Sequence, residues 1–193
     1  MNYFVTGGTG SLGRHLVGEL LNHRQGHVYL LLEGSPTSTH LHEEFGFPVD
    51  RVTWIPATPG DDEQVLSRSW LERLRGQITH FFHLAGAPNL VPTKFAETEV
   101  EPLAATRSAL RLAQELDVSH FHHLSSVAVA GDHAGVFDES MYDEGQGFPS
   151  HMQESLHQAE GLVRNLESLD WRIYRPGIIV GNSVTGEMDS PSE

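Results

Sequence analysis

The first thirteen residues place a short apolar strand directly before a glycine-rich turn and the start of a helix. The segment reads Asn2-Tyr3-Phe4-Val5-Thr6-Gly7-Gly8-Thr9-Gly10-Ser11-Leu12-Gly13. Gly7 permits a tight turn, Gly10 lets the backbone approach a phosphate closely, and Gly13 lets the helix pack on the strand. The N-terminus of such a helix presents N–H groups and the positive end of its dipole. The pattern therefore predicts a turn that holds the pyrophosphate of a dinucleotide.

Apolar segments suited to buried strands alternate along the chain with segments of helical periodicity. Strands are predicted at 2–6, 27–32, 51–56, 79–84, 119–125 and 171–174, with a further candidate at 177–180. Helices are predicted at 11–23, 63–75, 96–116 and 151–167, and residues 34–46 and 131–150 have the composition of loops. This alternation is typical of a parallel sheet with helices on both faces. We therefore predict an α/β fold, a Rossmann-type doubly wound sheet of about six to seven strands in a single domain over residues 1–193.

Composition limits the classes of partner that this chain is expected to have. Its 12 Lys and Arg stand against 26 Asp and Glu, which gives a formal net charge of −14. Such an acidic surface repels phosphate backbones, so neither nucleic acid nor an anionic membrane is an expected partner. There is no cysteine, which excludes thiol catalysis, disulfides and thiolate metal sites. We expect no targeting segment, and the lack of disulfides fits a cytoplasmic location.

A carboxylate follows the second predicted strand. Glu33 lies 20 residues after Gly13, the spacing expected of an acid that binds the ribose 2′-OH of a dinucleotide. Its charge would repel the 2′-phosphate of NADP, so NAD is the favoured cofactor. The alternative is that Glu33 is a solvated charge at the end of a strand.

Four segments together resemble the extended short-chain dehydrogenase/reductase family, the group of the NAD-dependent epimerases and dehydratases. Residues 6–13 are similar to its TGxxGxxG motif, 83–86 to HLAA, 125–131 to SSxxVxG and 174–181 to RPxxVxG. Stretches at 135–137, 143–146 and 186–189 are similar to the thioester reductase and fatty acyl reductase branch. The resemblance implies NAD or NADP as cofactor, with contacts from Thr6, Gly7, Gly8, Thr9, Gly10, Ser11, Leu12, Gly13, Glu33, Leu84, Ala85, Gly86 and Pro176.

The proton relay of that family is the part of its pattern from which this chain departs. The resemblance implies a Tyr that exchanges a proton with the substrate carbonyl, a Lys four residues later, and a Ser or Thr that orients the oxygen. Ser126 matches the Ser or Thr, although a serine there also suits a cap for the following loop. Met152 occupies the Tyr position and Leu156 the Lys position. Since neither side chain can exchange a proton, we predict that the usual relay is missing.

Three further positions bear on the site. His151 is one residue before the Tyr position, so it points about 100° away around the helix and is a poor substitute. Where many relatives have an Asp that contacts adenine, this chain has Thr58, unless the loop shifts and Asp61 takes that role. Pro102 replaces a family Asn. These departures weaken the expectation of tight cofactor binding.

Neighbouring histidines on one predicted strand raise the question of a metal site. His120 and His122 alternate with Phe121 and His123, so His120 and His122 share one face. With no cysteine and no pair of carboxylates at ligand spacing, we predict that the chain binds no metal.

Three functions remain open from the sequence. The first is an NAD(P)-binding protein that lacks the usual relay. The second is a working oxidoreductase or epimerase on a small-molecule or acyl substrate, with Ser126 and water as an altered relay. The third is a non-enzymatic interaction module or fragment, with helices 96–116 and 151–167 as the surface of a homodimer. Extended members continue into a substrate lobe, which we expect to be absent or truncated here.

Overall fold

The structure is a computed structural model, and it describes residues 1–32, 45–57, 66–86, 101–179 and residue 186. Six strands form its sheet: β1 (Asn2–Thr6), β2 (His27–Leu32), β3 (Val52–Pro56), β4 (His80–His83), β5 (His120–Leu124) and β6 (Asp170–Tyr174). Their order across the sheet is β3-β2-β1-β4-β5-β6, and every neighbouring pair is parallel. This is the doubly wound order, which reverses direction between β1 and β4. The predicted fold class is confirmed.

Helices cover both faces of the sheet, as predicted. They are α1 (Ser11–His23), α2 (Arg68–Leu74), α3 (Pro102–Glu115) and α4 (His151–Arg164), with a short 3₁₀ turn at Val127–Ala130. Val17 and Leu20 of α1 pack on one face, against Val5 and Leu30. Helices α2, α3 and α4 pack on the opposite face, in a separate apolar cluster.

A row of phenylalanines forms the centre of the core under α3 and α4. Phe4, Phe81 and Phe121 lie on the adjacent strands β1, β4 and β5 and have no exposed surface. Their rings stack with centroids 4.9 Å and 5.3 Å apart. Strands buried on both faces need apolar residues at nearly every position, which explains why the sequence pattern identified them within a residue or two.

The ends of the helices differ from the prediction. Helix α3 begins at Pro102, not at 96, because Glu101 is its N-cap and accepts a hydrogen bond from the Ala104 N–H at 2.6 Å. Proline suits the first helical position, where its missing N–H costs nothing. Residues 96–100 lie outside the described part. Helix α2 begins at Arg68 after an extended Ser67, and α4 ends at Arg164 rather than at 167.

The further strand predicted at 177–180 is wrong for residues 177–179, which form no strand, and residue 180 is outside the described residues. The sheet ends with Tyr174 because Pro176 has no N–H for a ladder. Its carbonyl instead accepts the Val127 N–H at 3.1 Å, at the start of the 3₁₀ turn. Ile178 is 82% exposed, so residues 177–179 are not part of a buried strand.

Among the helices that the structure describes, none has the length and apolar character needed to cross a membrane.

Candidate functional site

The glycine turn (residues 7–10) joins β1 to α1 and is shaped by backbone contacts. Gly7 has a φ of +72°, in the left-handed region that favours glycine, and a Cβ there would lie 2.7 Å from the Ala85 nitrogen. A Cβ on Gly13 would collide with the Gly7 carbonyl oxygen and lie 2.7 Å from the Gly8 Cα. The predicted roles of Gly7 in the turn and of Gly13 in close packing therefore agree with the geometry.

Gly10 differs from these two glycines because the protein leaves space around it. The atom nearest to a Cβ built at Gly10 is the Gly7 carbonyl oxygen, at an ordinary contact distance of 3.5 Å. Gly10 is also the N-cap of α1 and provides no side-chain cap, and the first turn contains no acidic residue. The N–H groups of that turn are thus available to an external anion. The space beside Gly10 fits the close approach of a pyrophosphate.

The end of β4 forms the adjoining wall of the turn. Leu84, Ala85 and Gly86 are half-buried, and Ala85 lies directly against Gly7. Gly86 has a φ of +80°, and a Cβ there would lie 3.0 Å from the Pro102 Cα at the start of α3. The predicted cofactor-binding residues at 84–86 therefore lie beside the glycine turn.

The Thr6 side chain is buried beneath the glycine turn and is not exposed on the side where a ligand would bind. Its hydroxyl is hydrogen-bonded to His83 Nδ1 at 2.8 Å, and His83 Nε2 is bonded to the Thr106 hydroxyl at 3.1 Å. All three side chains are buried. Burial and the neighbouring His123 hold the pKa of His83 well below its usual value, so His83 is neutral. This chain of bonds ties β1 and β4 to α3 below the site.

Ser126 lies two residues after the end of β5 and is the N-cap of the 3₁₀ turn. Its Oγ accepts a hydrogen bond from the Ala128 N–H at 3.1 Å, so the side chain caps the turn. The capping alternative is therefore realised, and the catalytic role of Ser126 stays a prediction. Pro176 lies close by, since its carbonyl accepts the Val127 N–H.

Met152 and Leu156 belong to the apolar face of α4. Leu156 is 2% exposed, and Ala159 and Val163, further along the same face, have no exposed surface. Met152 is half-buried at the start of the helix, whereas His151 is exposed. The side chains at the two relay positions thus contribute to packing.

Glu160 is a residue of this region that the sequence did not single out. Its carboxylate has no exposed surface and forms the centre of the Glu160 cluster (Ser125, Glu160, Arg164, Arg175). It accepts hydrogen bonds from Ser125 Oγ at 2.8 Å and from Arg164 Nε at 2.7 Å. Arg175 donates twice, from Nε at 3.0 Å and from Nη2 at 2.5 Å. Burial raises the pKa of Glu160, but the hydrogen bonds from Arg175, Arg164 and Ser125 lower it by more. The net pKa is below the usual value, so Glu160 is ionised.

The helical periodicity could have identified Glu160, because it places a glutamate beside the buried face of the helix. Glu160 is four residues after Leu156 and one after Ala159, which places it at the edge of the apolar face. Arg175 and Ser125 stand within recognised motifs, but nothing in the sequence links them to Glu160. The three come from α4 and from the ends of β6 and β5, and only the fold brings them together.

A histidine cluster (His80, His120, His122) lies on the face of the sheet opposite α3 and α4. His80 Nδ1 and His122 Nε2 are 3.0 Å apart, and His122 Nδ1 is 2.9 Å from the Tyr174 hydroxyl. His120 is paired with Asp170 at 3.0 Å. The described residues include no group of three or more side chains placed to hold a metal ion. Within that part of the chain, these histidines bind one another and their neighbours.

The histidine cluster predicts a loss of stability in acid. Burial, then the neighbouring His80, Arg172 and His120, lower the pKa of His122 from 6.5 to about 4, while Asp170 opposes them. Burial, His120 and Arg172 also lower the pKa of His80. Because the folded pKa values lie below the unfolded value, the contribution is complete above about pH 6.5 and is lost as the pH falls towards 4.

We expect the melting temperature of the protein at pH 5 to lie roughly 4 °C below that at pH 7.5 through this cluster. The variant His122→Gln, which cannot become charged, should lose less on the same change of pH. Thermal unfolding followed by circular dichroism measures both. An equal drop in the two proteins would show that other groups cause the acid sensitivity.

Three predicted positions lie outside the described residues. They are Glu33, expected at the ribose, and Thr58 and Asp61, expected near adenine. The preference for NAD therefore stays a prediction.

Residues 5–192 match the NAD-binding family described as "Male sterility protein". The chain belongs to this family. The match confirms the resemblance to the extended short-chain dehydrogenases/reductases and to their thioester reductase-like branch. A curated protein of similar sequence is the non-canonical nonribosomal peptide synthetase FrzA of a Cladobotryum species. It is 25% identical over 206 residues, which cover 95% of this chain and 20% of that protein.

Solved structures share the fold of this male sterility family member. One is the terminal R domain from the myxalamid PKS-NRPS biosynthetic pathway, with a TM-score of 0.76 and 24% identity over 97% of this chain and 52% of that chain. Another is the UDP-glucuronic acid 4-epimerase of Bacillus cereus in complex with NAD, with a TM-score of 0.62 and 21% identity over 92% and 56% of the two chains. The chain thus spans about half the length of these solved relatives.

Proposed function

We propose that this chain binds a nicotinamide dinucleotide at the glycine turn and does not perform the Tyr–Lys proton transfer of active relatives. The observation that carries the proposal is the space beside Gly10, where the nearest described atom to a Cβ is the Gly7 carbonyl oxygen at 3.5 Å. The protein's own packing does not require glycine there, whereas a closely bound phosphate does. Membership of an NAD-binding family supports the same ligand.

The position of each half of the dinucleotide follows from the strand order. The pyrophosphate lies at the N-terminus of α1, where the direction of the sheet reverses between β1 and β4. The adenosine half extends over the end of β2. Glu33 directly follows β2 in the sequence, and a carboxylate there favours NAD over NADP. The nicotinamide half extends over the ends of β4, β5 and β6, beside Ala85, Ser126 and Pro176. A bound nicotinamide supplies hydride chemistry, for which a proton donor must stand nearby.

The proposal that the Tyr–Lys relay is missing rests on Met152 and Leu156. A Met thioether and a Leu side chain neither donate nor accept a proton at a developing alkoxide. The fully buried Leu156 and the half-buried Met152 pack on the apolar face of α4. Ser126, the remaining member of the family's trio, is engaged with the Ala128 N–H. The proposed role is therefore cofactor binding, as in a redox-state sensor or a regulatory subunit, rather than turnover.

The variant Gly10→Val tests the proposed ligand. We expect isothermal titration calorimetry to show binding of NAD⁺ to the native protein and at least a roughly tenfold weaker affinity in the variant. The Cβ of the new side chain lies at an ordinary contact distance of 3.5 Å from the Gly7 carbonyl oxygen, and the side chain takes the space assigned to the phosphate. Titration of NADP⁺ should give weaker binding than NAD⁺, and Glu33→Ala should reduce that difference.

Gly18→Ala is the matched control, because Gly18 lies on the same helix and, in the described part of the chain, its Cβ position has no atom within 4 Å beyond the backbone of α1 itself. Its affinity for NAD⁺ should equal that of the native protein. Absence of binding to the native protein at millimolar NAD(H) and NADP(H) would refute the proposed function. Equal affinities of the native protein and Gly10→Val for NAD⁺ would show that the ligand does not bind at the glycine turn.

A further inference from the structure

The Glu160 cluster holds together three segments that are far apart in sequence. Glu160 belongs to α4, Ser125 follows β5, and Arg175 follows β6. Arg175 also donates from Nη1 to the Asp138 carbonyl at 3.0 Å and from Nη2 to the Met141 carbonyl at 2.8 Å. The loop between β5 and α4 is thereby fastened to the end of β6. A planar guanidinium with its donors bound to fixed acceptors has little freedom to move.

The neighbours of the cluster in sequence are the residues that face the proposed cofactor. Ser126 directly follows Ser125, and Pro176 directly follows Arg175. The Val127 N–H donates to the Pro176 carbonyl at 3.1 Å, so the two segments are also joined above the cluster. A shift of the Arg175 side chain would therefore move Pro176 and, through Val127, the end of β5.

The cluster lies on one side only of the point where the strand order reverses. Its residues come from β5, β6 and α4, on the half of the sheet beyond β4. In a doubly wound sheet the two halves bind the two mononucleotides. The adenosine half belongs to β1, β2 and β3, which the cluster does not touch through any described contact.

We propose that Glu160 and Arg175 are a positioning pair that sets the ends of β5 and β6 for the nicotinamide half of the dinucleotide. The inference rests on the proposed function, since it needs a bound dinucleotide. Neither side chain touches the ligand. Loss of the pair should weaken the contacts of nicotinamide and leave those of the ADP-ribose moiety unchanged.

Comparing the affinities for NAD⁺ and for ADP-ribose isolates this effect, because the two ligands differ only by nicotinamide. In the variant Arg175→Met we expect the dissociation constant for NAD⁺ to rise about tenfold and that for ADP-ribose to stay within about twofold. Calorimetry measures both constants, and a thermal melt of each variant checks that it is folded. A general loosening of the fold would weaken both ligands together.

Arg164→Met is the matched control. Arg164 also donates to Glu160, at 2.7 Å, and to the Met141 carbonyl, at 3.5 Å, but it is the last residue of α4 and leads away from the site. Both dissociation constants should stay within about twofold of the native values. If the dissociation constant for NAD⁺ rose as much in Arg164→Met as in Arg175→Met, the positioning role of Arg175 would be overturned.

A second, smaller change keeps the test decisive if Arg175→Met does not fold. Ser125→Ala removes one hydrogen bond to Glu160 and leaves both arginines in place. We expect the dissociation constant for NAD⁺ to rise roughly threefold and that for ADP-ribose to stay unchanged. Native protein that binds NAD⁺ and ADP-ribose equally would overturn the inference while the proposed function stands. Native protein that binds neither ligand would overturn both.

Discussion

We expect the replacement of Gly13 with alanine to abolish the proposed dinucleotide binding and to lower the free energy of unfolding by about 3 kcal/mol. The new Cβ would collide with the Gly7 carbonyl oxygen and lie 2.7 Å and 2.9 Å from the Gly8 Cα and carbonyl carbon. All three atoms belong to the backbone, so no side chain can rotate to make room. Either α1 must move away from β1 or the glycine turn must change shape. Each change would disrupt the proposed phosphate-binding site.

Urea denaturation of Gly13→Ala measures the loss of stability, and calorimetry with NAD⁺ measures the loss of binding. Gly18→Ala again provides the control on the same helix. We expect that control to be as stable as the native protein or more stable by up to about 1 kcal/mol, because alanine favours an open helical position over glycine. A Gly13→Ala protein of native stability would contradict the close contact between the turn and α1.

Replacing Glu160 with glutamine lowers the free energy of unfolding by about 3 kcal/mol. The carboxylate accepts one bond from Ser125, one from Arg164 and two from Arg175, and it has no exposed surface. A glutamine of the same size has one oxygen to accept these bonds, and its amide group points N–H donors at a guanidinium. The two arginines then lose the buried carboxylate that they share.

The exposed Glu154 on the same helix provides the matched control for this substitution. Its side chain accepts a hydrogen bond from Gln158 Nε2 at 3.2 Å in solvent, so Glu154→Gln should change stability by less than about 0.5 kcal/mol. Urea titrations of the two variants and the native protein give the comparison. Equal small losses in both variants would show that Glu160 contributes no more than a surface charge.

The pH dependence of the same variant has a definite sign. Despite the opposing effect of burial, hydrogen bonds from Arg175, Arg164 and Ser125 hold the pKa of Glu160 below its usual 4.5. Its contribution is therefore complete above about pH 4.5 and is lost as the pH falls through the folded pKa. The stability of Glu160→Gln should fall less steeply in this acid range than that of the native protein.

The two halves of the proposed site are held by different kinds of interaction. On the β1 side, glycines let backbone lie against backbone, as the contacts of Gly7 and Gly13 show. On the β5 and β6 side, a buried ion pair between Glu160 and Arg175 joins separate segments. The first arrangement depends on the absence of side chains and the second on their charge, which is why different substitutions are expected to affect the two halves.

Local pattern was sufficient for the strands, the glycine turn and the fold class. Buried parallel strands need continuous apolar runs, and a phosphate-binding turn needs glycines at fixed spacing, so both are visible in short stretches of residues. The starts of α2 and α3 were missed because Ser67 and Glu101, each with extended backbone angles, are the N-cap residues there. The strand predicted at 177–180 is wrong for residues 177–179 because an apolar run does not show whether a neighbouring strand is there to pair with it.

The strand order and the Glu160 cluster depend on contacts between distant parts of the chain. Glu160 was not singled out from the sequence, and its partners Ser125 and Arg175 are 35 and 15 residues away. Likewise, Gly10 and Gly13 look alike in the motif, and only the packing of α1 on β1 shows that one is needed by the protein and the other leaves room for a ligand. Residues near one another in sequence specify a turn or a helix, whereas the burial of a charge and the space beside a glycine are set by which segments the folded sheet brings together.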